Sequence, residues 1–352
     1  MLTWLKKKIV LKSMEKRKRE HPFDIEYSDN YQLEDGATSD INNSHYFFAF
    51  SFNSKECMYF RSAKRGGAAL DEVWMVYRDE AGNVYRSVKD HFSKNEKNPT
   101  SVNCIEAGKK MEFIFDGLVR LCKLTDRGYV VDEEVEAIPL KLTSFFEGTT
   151  DVFEFTHHMD SNVTASAISK EKFNKEFQNA FNAIYQVHYE QGGKVNFTVT
   201  LNNEKRAVKD FHSIRDHSYG KRNWDFFDRY IWNIIILENG DFIHSSMMRY
   251  PVLRELQAGF KINTQMTSLK QSTPMDNIPI VGTTPGEYSI DVVFSDDSKA
   301  KVDVCLDFVC PFYFEKDFNV NEGVCDFVVD GLKGKGIGEF GYNKNKDRWV
   351  RK

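Results

Sequence analysis

The sequence is short of the features from which a function is usually read. Its six cysteines, Cys57, Cys104, Cys122, Cys305, Cys310 and Cys325, form no Cys-x-x-Cys pair and no Cys/His spacing suited to zinc, which excludes zinc-ribbon and dithiol redox chemistry. They read as buried, reduced thiols. No stretch approaches the ~20 apolar residues that cross a bilayer as a helix, and lysines interrupt the N-terminal segment where a secretory signal needs an unbroken apolar run. Positive charge is not in excess: 48 Lys+Arg stand against 52 Asp+Glu, and a net charge of -4 excludes the global basic field of non-specific nucleic-acid binding. There is no phosphate-binding glycine loop, no short internal repeat, and no Pro-rich or Ser-rich linker. Gly334, Gly336, Gly338 and Gly341 lie among aromatics in a strand-like context, and read as close-packed or bulged strand positions.

What is present is aromatic and β-branched. From His45 onward, segments such as HYFFAFSFN, DEVWMVYRD, MEFIFDGLVRLCKL, KVNFTVTLNN and YIWNIIIL alternate with period two between Gly, Asn and Asp clusters, as strands do. Three hairpins are expected, at Glu80 to Asn83, Glu238 to Asp241 and Ser295 to Ser298. Asn239-Gly240 is the strongest of the turns, because a type I′ turn needs positive φ at both central residues. One segment changes period: Phe173, Phe177, Phe181 and Ile184 recur at helical spacing ahead of Gly192-Gly193, predicting a helix over about 169–186. The basic N-terminal segment has a split apolar face on a helical wheel, with Leu2, Leu5 and Ile9 on one side and Trp4, Leu11 and Met14 nearly opposite. Two readings stay open for residues 1–20: weak contact with an anionic membrane, or a basic arm that is solvated or neutralised by the acidic stretch Asp24 to Asp40.

The densest polar stretch is RDHSYGKRNW, Arg215 to Trp224, directly ahead of the strand YIWNIIIL, which is apolar on both faces. Buried, each of its charges would need a partner. Read as a strand, it places His212, Ile214, Asp216 and Ser218 on one face and Phe211, Ser213, Arg215, His217 and Tyr219 on the other. Asp216 and His217 then cannot share a cavity without a bulge, and with no Gly-x-Ser-x-Gly elbow a hydrolase triad is disfavoured. Asp216 is either a desolvated general acid or the partner of Arg215, Arg222 or Arg229. The neighbouring pair His157-His158 suggests metal or proton traffic, but at a strand end the two side chains would point to opposite faces and could not share one ion. His157 then reads as a cavity-lining residue or a solvent-facing one.

The segment from His188 to Trp224, with the late stretch CDFVVDGLKGKGIGEFGY, resembles the tandem lipocalin-like superfamily of carotenoid hydratases, lipocalin-type pericyclases and ceramide-carrying survival-factor proteins. It is most similar to a branch found as extra β-domains in phosphoenolpyruvate-synthase-like proteins. The resemblance implies two lipocalin-like antiparallel β-barrel domains packed together with a connecting helix. Its expected layout is a basic arm and acidic linker at 1–40, a first β-domain at 41–165, a connecting helix at 166–190 and a second β-domain at 191–352. In the hydratases the similar motif is Asp-His-Asn-Trp-Gly, and its Asp is implicated in protonating a double bond; that role would fall on Asp216, helped by His217 or Tyr219. Here Ser218 and Tyr219 replace the Asn and Trp, and Asn223 stands where the branch usually has an acidic residue.

The leading expectation is binding of an apolar or amphipathic small molecule, lipid or isoprenoid-like, with Arg215, Arg222, Trp224, Trp232 and His157 as ligand contacts. The alternatives are an acid-catalysed hydratase, isomerase or pericyclase using Asp216, and a non-catalytic module that docks a phosphotransfer enzyme or another protein partner. No cofactor, metal or nucleic acid is expected. The expected location is cytoplasmic, peripheral to a membrane if residues 1–20 bind one.

Overall fold

The computed structural model describes residues 2–175, 177, 186–222, 224, 227–278, 284–314 and 317–344. The chain divides into two compact units: one comprises 24–153 and 186–222, and the other comprises 1–23, 154–185 and 223–352. The division expected near residue 190 is therefore displaced. Residues 186–222 leave the later half and pair with the earlier strands, because backbone groups at two strand edges of the first unit need partners.

The first unit begins with a one-turn helix α2 (Ile25–Asp29), which follows α1 (Thr3–Glu20) of the other unit. Its strands are β1 (Ile41–Phe50), β2 (Cys57–Arg65), β3 (Asp71–Arg78), β4 (Val84–Ser87), β5 (His91–Phe92) and β6 (Thr100–Glu106). They continue with β7 (Lys110–Thr125), β8 (Gly128–Val131), β9 (Ile138–Gly148), β10 (Phe153–Glu154), β11 (Gln186–Leu201) and β12 (Glu204–Lys221). Antiparallel pairing runs β1, β2, β3, β4, β7, β9, β11, β12 and returns to β1, so this ladder closes on itself. Its core holds Phe47, Phe60, Met75, Phe113, Leu142 and Phe197, each at most 3% exposed. Phe47 stacks on Phe113 with ring centres 4.6 Å apart. Each such side chain contributes about 2 kcal/mol by leaving water.

The second unit carries α1, α3 (Phe155–His158), α4 (Ser161–Ser169) and a closed barrel of eight strands in sequence order. These are β13 (Arg229–Leu237), β14 (Phe242–Tyr250), β15 (Leu253–Ile262), β16 (Met266–Ser272), β17 (Glu287–Phe294), β18 (Lys299–Phe314), β19 (Phe318–Val329) and β20 (Leu332–Asn343), with β20 pairing back to β13. Ile231, Ile235, Val302, Cys325 and Phe340 fill the core. All six cysteines are free thiols, and four are buried as expected; Cys305 is exposed and Cys104 half-buried. Residues 176 and 178–185, half of the helix expected over 169–186, lie outside the described residues. The helix seen just before it, α4, is capped by the Asp160 carboxylate, which accepts from the Asn162 N–H.

The three hairpins form at the expected turns, joining β3 to β4, β13 to β14 and β17 to β18. Asn239-Gly240 is not type I′, however: only Gly240 takes positive φ, 91°. The pair of left-handed residues occurs instead at Asn202 and Asn203 (φ 47° and 69°), whose short polar side chains tolerate it, between β11 and β12. The late glycines are close-packed. A Cβ on Gly336 would lie 1.8 Å from the Ile234 carbonyl oxygen, and one on Gly341 would lie 2.2 Å from the Tyr230 ring.

Gly336→Ala is therefore expected to lower stability by about 3 kcal/mol or to prevent folding. Gly240→Ala, which has open space but positive φ, should cost about 1 kcal/mol. Urea midpoints of the two variants check this, and equal midpoints would remove the close-approach account.

Candidate functional site

The polar stretch lies on β12, and a bulge sets which way it faces. Val208 pairs with Phe197 while Phe211 pairs with Val195, so one extra residue is inserted; Asp210 takes positive φ (58°) and its N–H donates to Asn196 Oδ1 at 3.0 Å. Beyond the bulge the alternation holds. Arg215, His217 and Tyr219 share a face with Phe47 and His45 of β1 and with Tyr189 and Gln191 of β11. Asp216 shares the opposite face with Tyr46, Glu190 and His188.

The Arg215 face is a closed polar lock. Arg215 Nη1 donates to Asp29 Oδ1 at 2.6 Å and Nη2 to Oδ2 at 3.2 Å, with both side chains at most 3% exposed. Its Nε donates to Gln191 Oε1 (2.8 Å), and Gln191 Nε2 donates in turn to the carbonyls of Gly108 and Thr150. Burial alone would push the Asp29 carboxyl up. The Arg215 guanidinium, the Gly108 N–H and the Tyr189 hydroxyl outweigh it and hold Asp29 below its ordinary range. The arginine expected beside Asp216 thus belongs to Asp29.

His217 and Tyr219 extend the lock. Asn43 Nδ2 donates to the Tyr31 carbonyl, so its Oδ1 accepts from His217 Nε2 (2.7 Å), which leaves His217 Nδ1 as an acceptor 2.7 Å from the Tyr189 hydroxyl. Tyr189 also lies 2.6 Å from Asp29 Oδ1, so its single proton sits between two acceptors. Burial, followed by the charges of His45 and Arg215, holds His217 well below its ordinary pKa. Burial likewise pushes His45, stacked on His217 at 3.7 Å, down to about 3. Tyr219 stacks on Tyr31 at 4.0 Å and shares a hydrogen bond with Ser28. His217 and Tyr219, expected beside a catalytic Asp216, are instead sealed on the other side of the strand.

On the Asp216 face the partner is a histidine. His188 Nε2 hydrogen-bonds Asp216 Oδ2, with side-chain exposures of 20% and 16%. Glu190 completes the group: among the described residues, one donor atom from each of the three lies within 4.8 Å of the others. That spacing suits a cation, although the imidazole and the Asp216 carboxylate already satisfy each other directly. Burial works against a charged imidazole, but Asp216 and then Glu190 outweigh it, so the His188 pKa is raised above 6.5. In cross-strand register the face continues from Glu190 through Asp216, Tyr46 and Arg61 to Trp74, with the Arg61 guanidinium 4.7 Å from the Trp74 ring centre. The signal for His188 was available in the sequence as a strand-borne histidine two residues before a glutamate. What it lacked was the register that sets it diagonal to Asp216.

Of the other expected contacts, Arg222 reaches the face that carries Asp216 and Ser218, while Trp224, Trp232 and His157 belong to the second unit. Arg222 Nη2 donates to Ser218 Oγ at 3.0 Å. Trp224, 2% exposed, stacks on Phe314 at 4.3 Å and belongs to the core of the second unit. Trp232 meets the His244 ring edge-on at 4.8 Å. His157 and His158 lie on a helical turn rather than at a strand end. His157 Nδ1 is 2.5 Å from Glu154 Oε2, whereas His158 Nδ1 accepts from the Glu154 N–H, so the two do not share a partner atom. Asn223 lies outside the described residues.

Two units of antiparallel β-structure, the second closed into an eight-stranded barrel, give the chain a tandem lipocalin-like fold. The model of a domain of unknown function, DUF7064, matches residues 28–345, and the chain belongs to that family. No match in sequence was found among curated proteins. Among solved structures the chain is similar to CghA with Sch210972, at a TM-score of 0.54 and 8% identity over 88% of this chain and 90% of that one. It is also similar to kievitone hydratase from Nectria haematococca (TM-score 0.48, 12% identity, 89% and 92% covered). A putative AttH protein of Nitrosomonas europaea gives a TM-score of 0.49 and 11% identity, with 90% and 98% covered. The CghA likeness establishes the fold. The finer resemblance to phosphoenolpyruvate-synthase-like proteins has no counterpart among these matches. No helix among the described residues is long and apolar enough to cross a membrane.

The lock predicts acid sensitivity. His45 and His217 stay neutral in the fold but bind protons below about pH 6.5 when unfolded. The unfolded state then holds more protons, so stability falls with pH by up to about 1.4 kcal/mol per unit for each. His188 does not offset this, because its raised pKa stabilises fully below 6.5 and is lost only as pH rises through the folded value. Urea denaturation should show a loss on the order of 2 kcal/mol or more between pH 6.5 and 5. A flat profile there would mean the two histidines are already charged in the fold.

Proposed function

We propose that the protein protonates an unsaturated carbon of an apolar small molecule, as a hydratase, isomerase or cyclase of the acid-catalysed kind. The observation that carries this is the cluster of His188, Asp216 and Glu190: a histidine with a raised pKa bonded to one carboxylate, with a second carboxylate beside it. The His188 imidazolium hands its Nε2 proton to Asp216, the Asp216 carboxyl gives it to the alkene carbon, and the proton that Glu190 takes later returns to His188 to close the cycle. In a hydration, water adds to the cation and Glu190 takes the released proton; in an isomerisation, Glu190 takes one from the adjacent carbon. The aromatic ring of Tyr46, next to Asp216 in the cross-strand row, suits a cationic intermediate. CghA, a protein of this fold, has been solved with Sch210972 bound, so the fold accommodates a small molecule in that protein.

A second reading, binding of an apolar molecule without chemistry, is favoured by a pocket of about 160 Å³ in the second unit. Arg17, Ile168, Phe177, Leu253 and Leu256 are among the residues that line it. That volume is below the roughly 300 Å³ of ordinary ligand sites, and it suits a short apolar group better than a whole lipid.

Two measurements test the acid–base reading. His188 should titrate above 6.5 by NMR, and Asp216→Asn should bring it down. Incubated in D2O with a panel of isoprenoid polyenes and enones, the wild type should incorporate carbon-bound deuterium, while Asp216→Asn and His188→Gln lose roughly 100-fold or more in rate with unchanged thermal melts. A His188 that titrates below 6.5, or variants that turn over at the wild-type rate, would sink the assignment.

A further inference from the structure

The split apolar face of residues 1–20 is resolved by packing. In α1 the residues at 6, 7, 10, 11, 14, 17 and 18 are at least half-buried, the spacing of one helix face. Val10 is 8% exposed, and Leu11 and Met14 flank it on that face. Two lysines fasten the same side: Lys6 Nζ donates to the Glu171 carbonyl at 2.5 Å, and Lys18 Nζ donates to the His157 carbonyl at 2.9 Å and to Ser161 Oγ at 3.0 Å. The helix is thereby held in one rotation about its axis.

The opposite side is left outward with an unusual content. Leu2 is 65% exposed, Leu5 39% and Ile9 49%; Trp4, 56% exposed, lies at the other margin of the exposed side, away from these three. At 100° per residue Leu2, Leu5 and Ile9 fall within one narrow sector, flanked by Lys8, Lys12, Lys16 and Arg19, all exposed. Lys8 Nζ lies 5.0 Å from the Trp4 ring centre. Within the helix Lys16 has an acidic neighbour, Glu20, at 3.6 Å, but both side chains are largely exposed and such a solvated pair is weak. Apolar side chains set among cations on a fixed helix complement a surface that is anionic at its headgroups and apolar just beneath.

We propose that the outward face of α1 binds an anionic lipid bilayer, with Leu2, Leu5 and Ile9 entering the interfacial region and Lys8, Lys12, Lys16 and Arg19 meeting the headgroups. The interaction is a peripheral, reversible one: few apolar side chains are offered, and the rest of the helix stays docked on its own unit. It is independent of the chemistry proposed at Asp216.

Flotation of the full chain with vesicles of phosphatidylcholine containing 30% phosphatidylserine tests it, alongside vesicles of phosphatidylcholine alone. Binding to the anionic vesicles should be at least tenfold stronger and fall steeply between 50 and 300 mM salt. The double variant Leu5→Ser, Ile9→Ser should reduce binding tenfold or more with an unchanged thermal melt, since both residues point outward. Equal binding of the variant and the wild type, or equal binding to the two vesicle types, would overturn the proposal. So would a sedimentation equilibrium in which the wild type is a dimer and the variant a monomer while neither floats, because the stripe would then be covered by a second copy of this chain.

Discussion

The buried ion pair between Arg215 and Asp29 is the constraint around which the first unit is arranged. An unpaired guanidinium in that interior would cost several kcal/mol, and half of a buried pair is worse than none. Each remaining donor or acceptor nearby is therefore tied down: Gln191 to two backbone carbonyls, Gly108 N–H to Asp29, Tyr189 between Asp29 and His217. The pair also explains why α2 matters although it is a single turn. Asp24 caps its start and Asp29 ends it, so a short helix with little stability of its own is held at both ends by charge.

A rigid lock on one side of β12 has a consequence for the other side. Strand alternation fixes the orientation of Asp216 once Arg215 and His217 are fixed, as neighbours on a strand cannot rotate independently. The His188–Asp216 pair is thus positioned by bonds it does not make itself. Sites built on strands hold their geometry more closely than sites on loops, and proton transfer depends on that geometry before it depends on pKa. The same strand serves structure on one face and carries the candidate chemistry on the other. The question raised by its dense polar sequence has a different answer for odd and even residues.

The filled cores bear on how a lipocalin-like fold is used here. In both units the inward side chains are large and fully buried, from Phe47 and Phe113 in one to Ile235 and Val302 in the other. A packed interior favours rigid faces over a ligand-swallowing calyx.

Much of this was written in local sequence. Period-two alternation gave the strands, the turn residues gave three hairpins, the glycines of β20 announced close backbone approach, and alternation alone separated Asp216 from His217. Those features are legible because they depend on neighbours in the chain. Partners are different. Asp29 lies 186 residues from Arg215, and His188 meets Asp216 only through the register of β11 on β12, which the Asn202-Asn203 turn and the Asp210 bulge decide together. The domain boundary was equally out of reach, since 186–222 read as strands wherever they pair. Which half of the apolar face of α1 is buried was settled by packing against its own unit. The sequence by itself determined which side of each strand a residue occupies, because that follows from backbone geometry. Only the tertiary structure decided what stands opposite, because closing a ring of strands brings together residues whose separation along the chain carries no periodic signal.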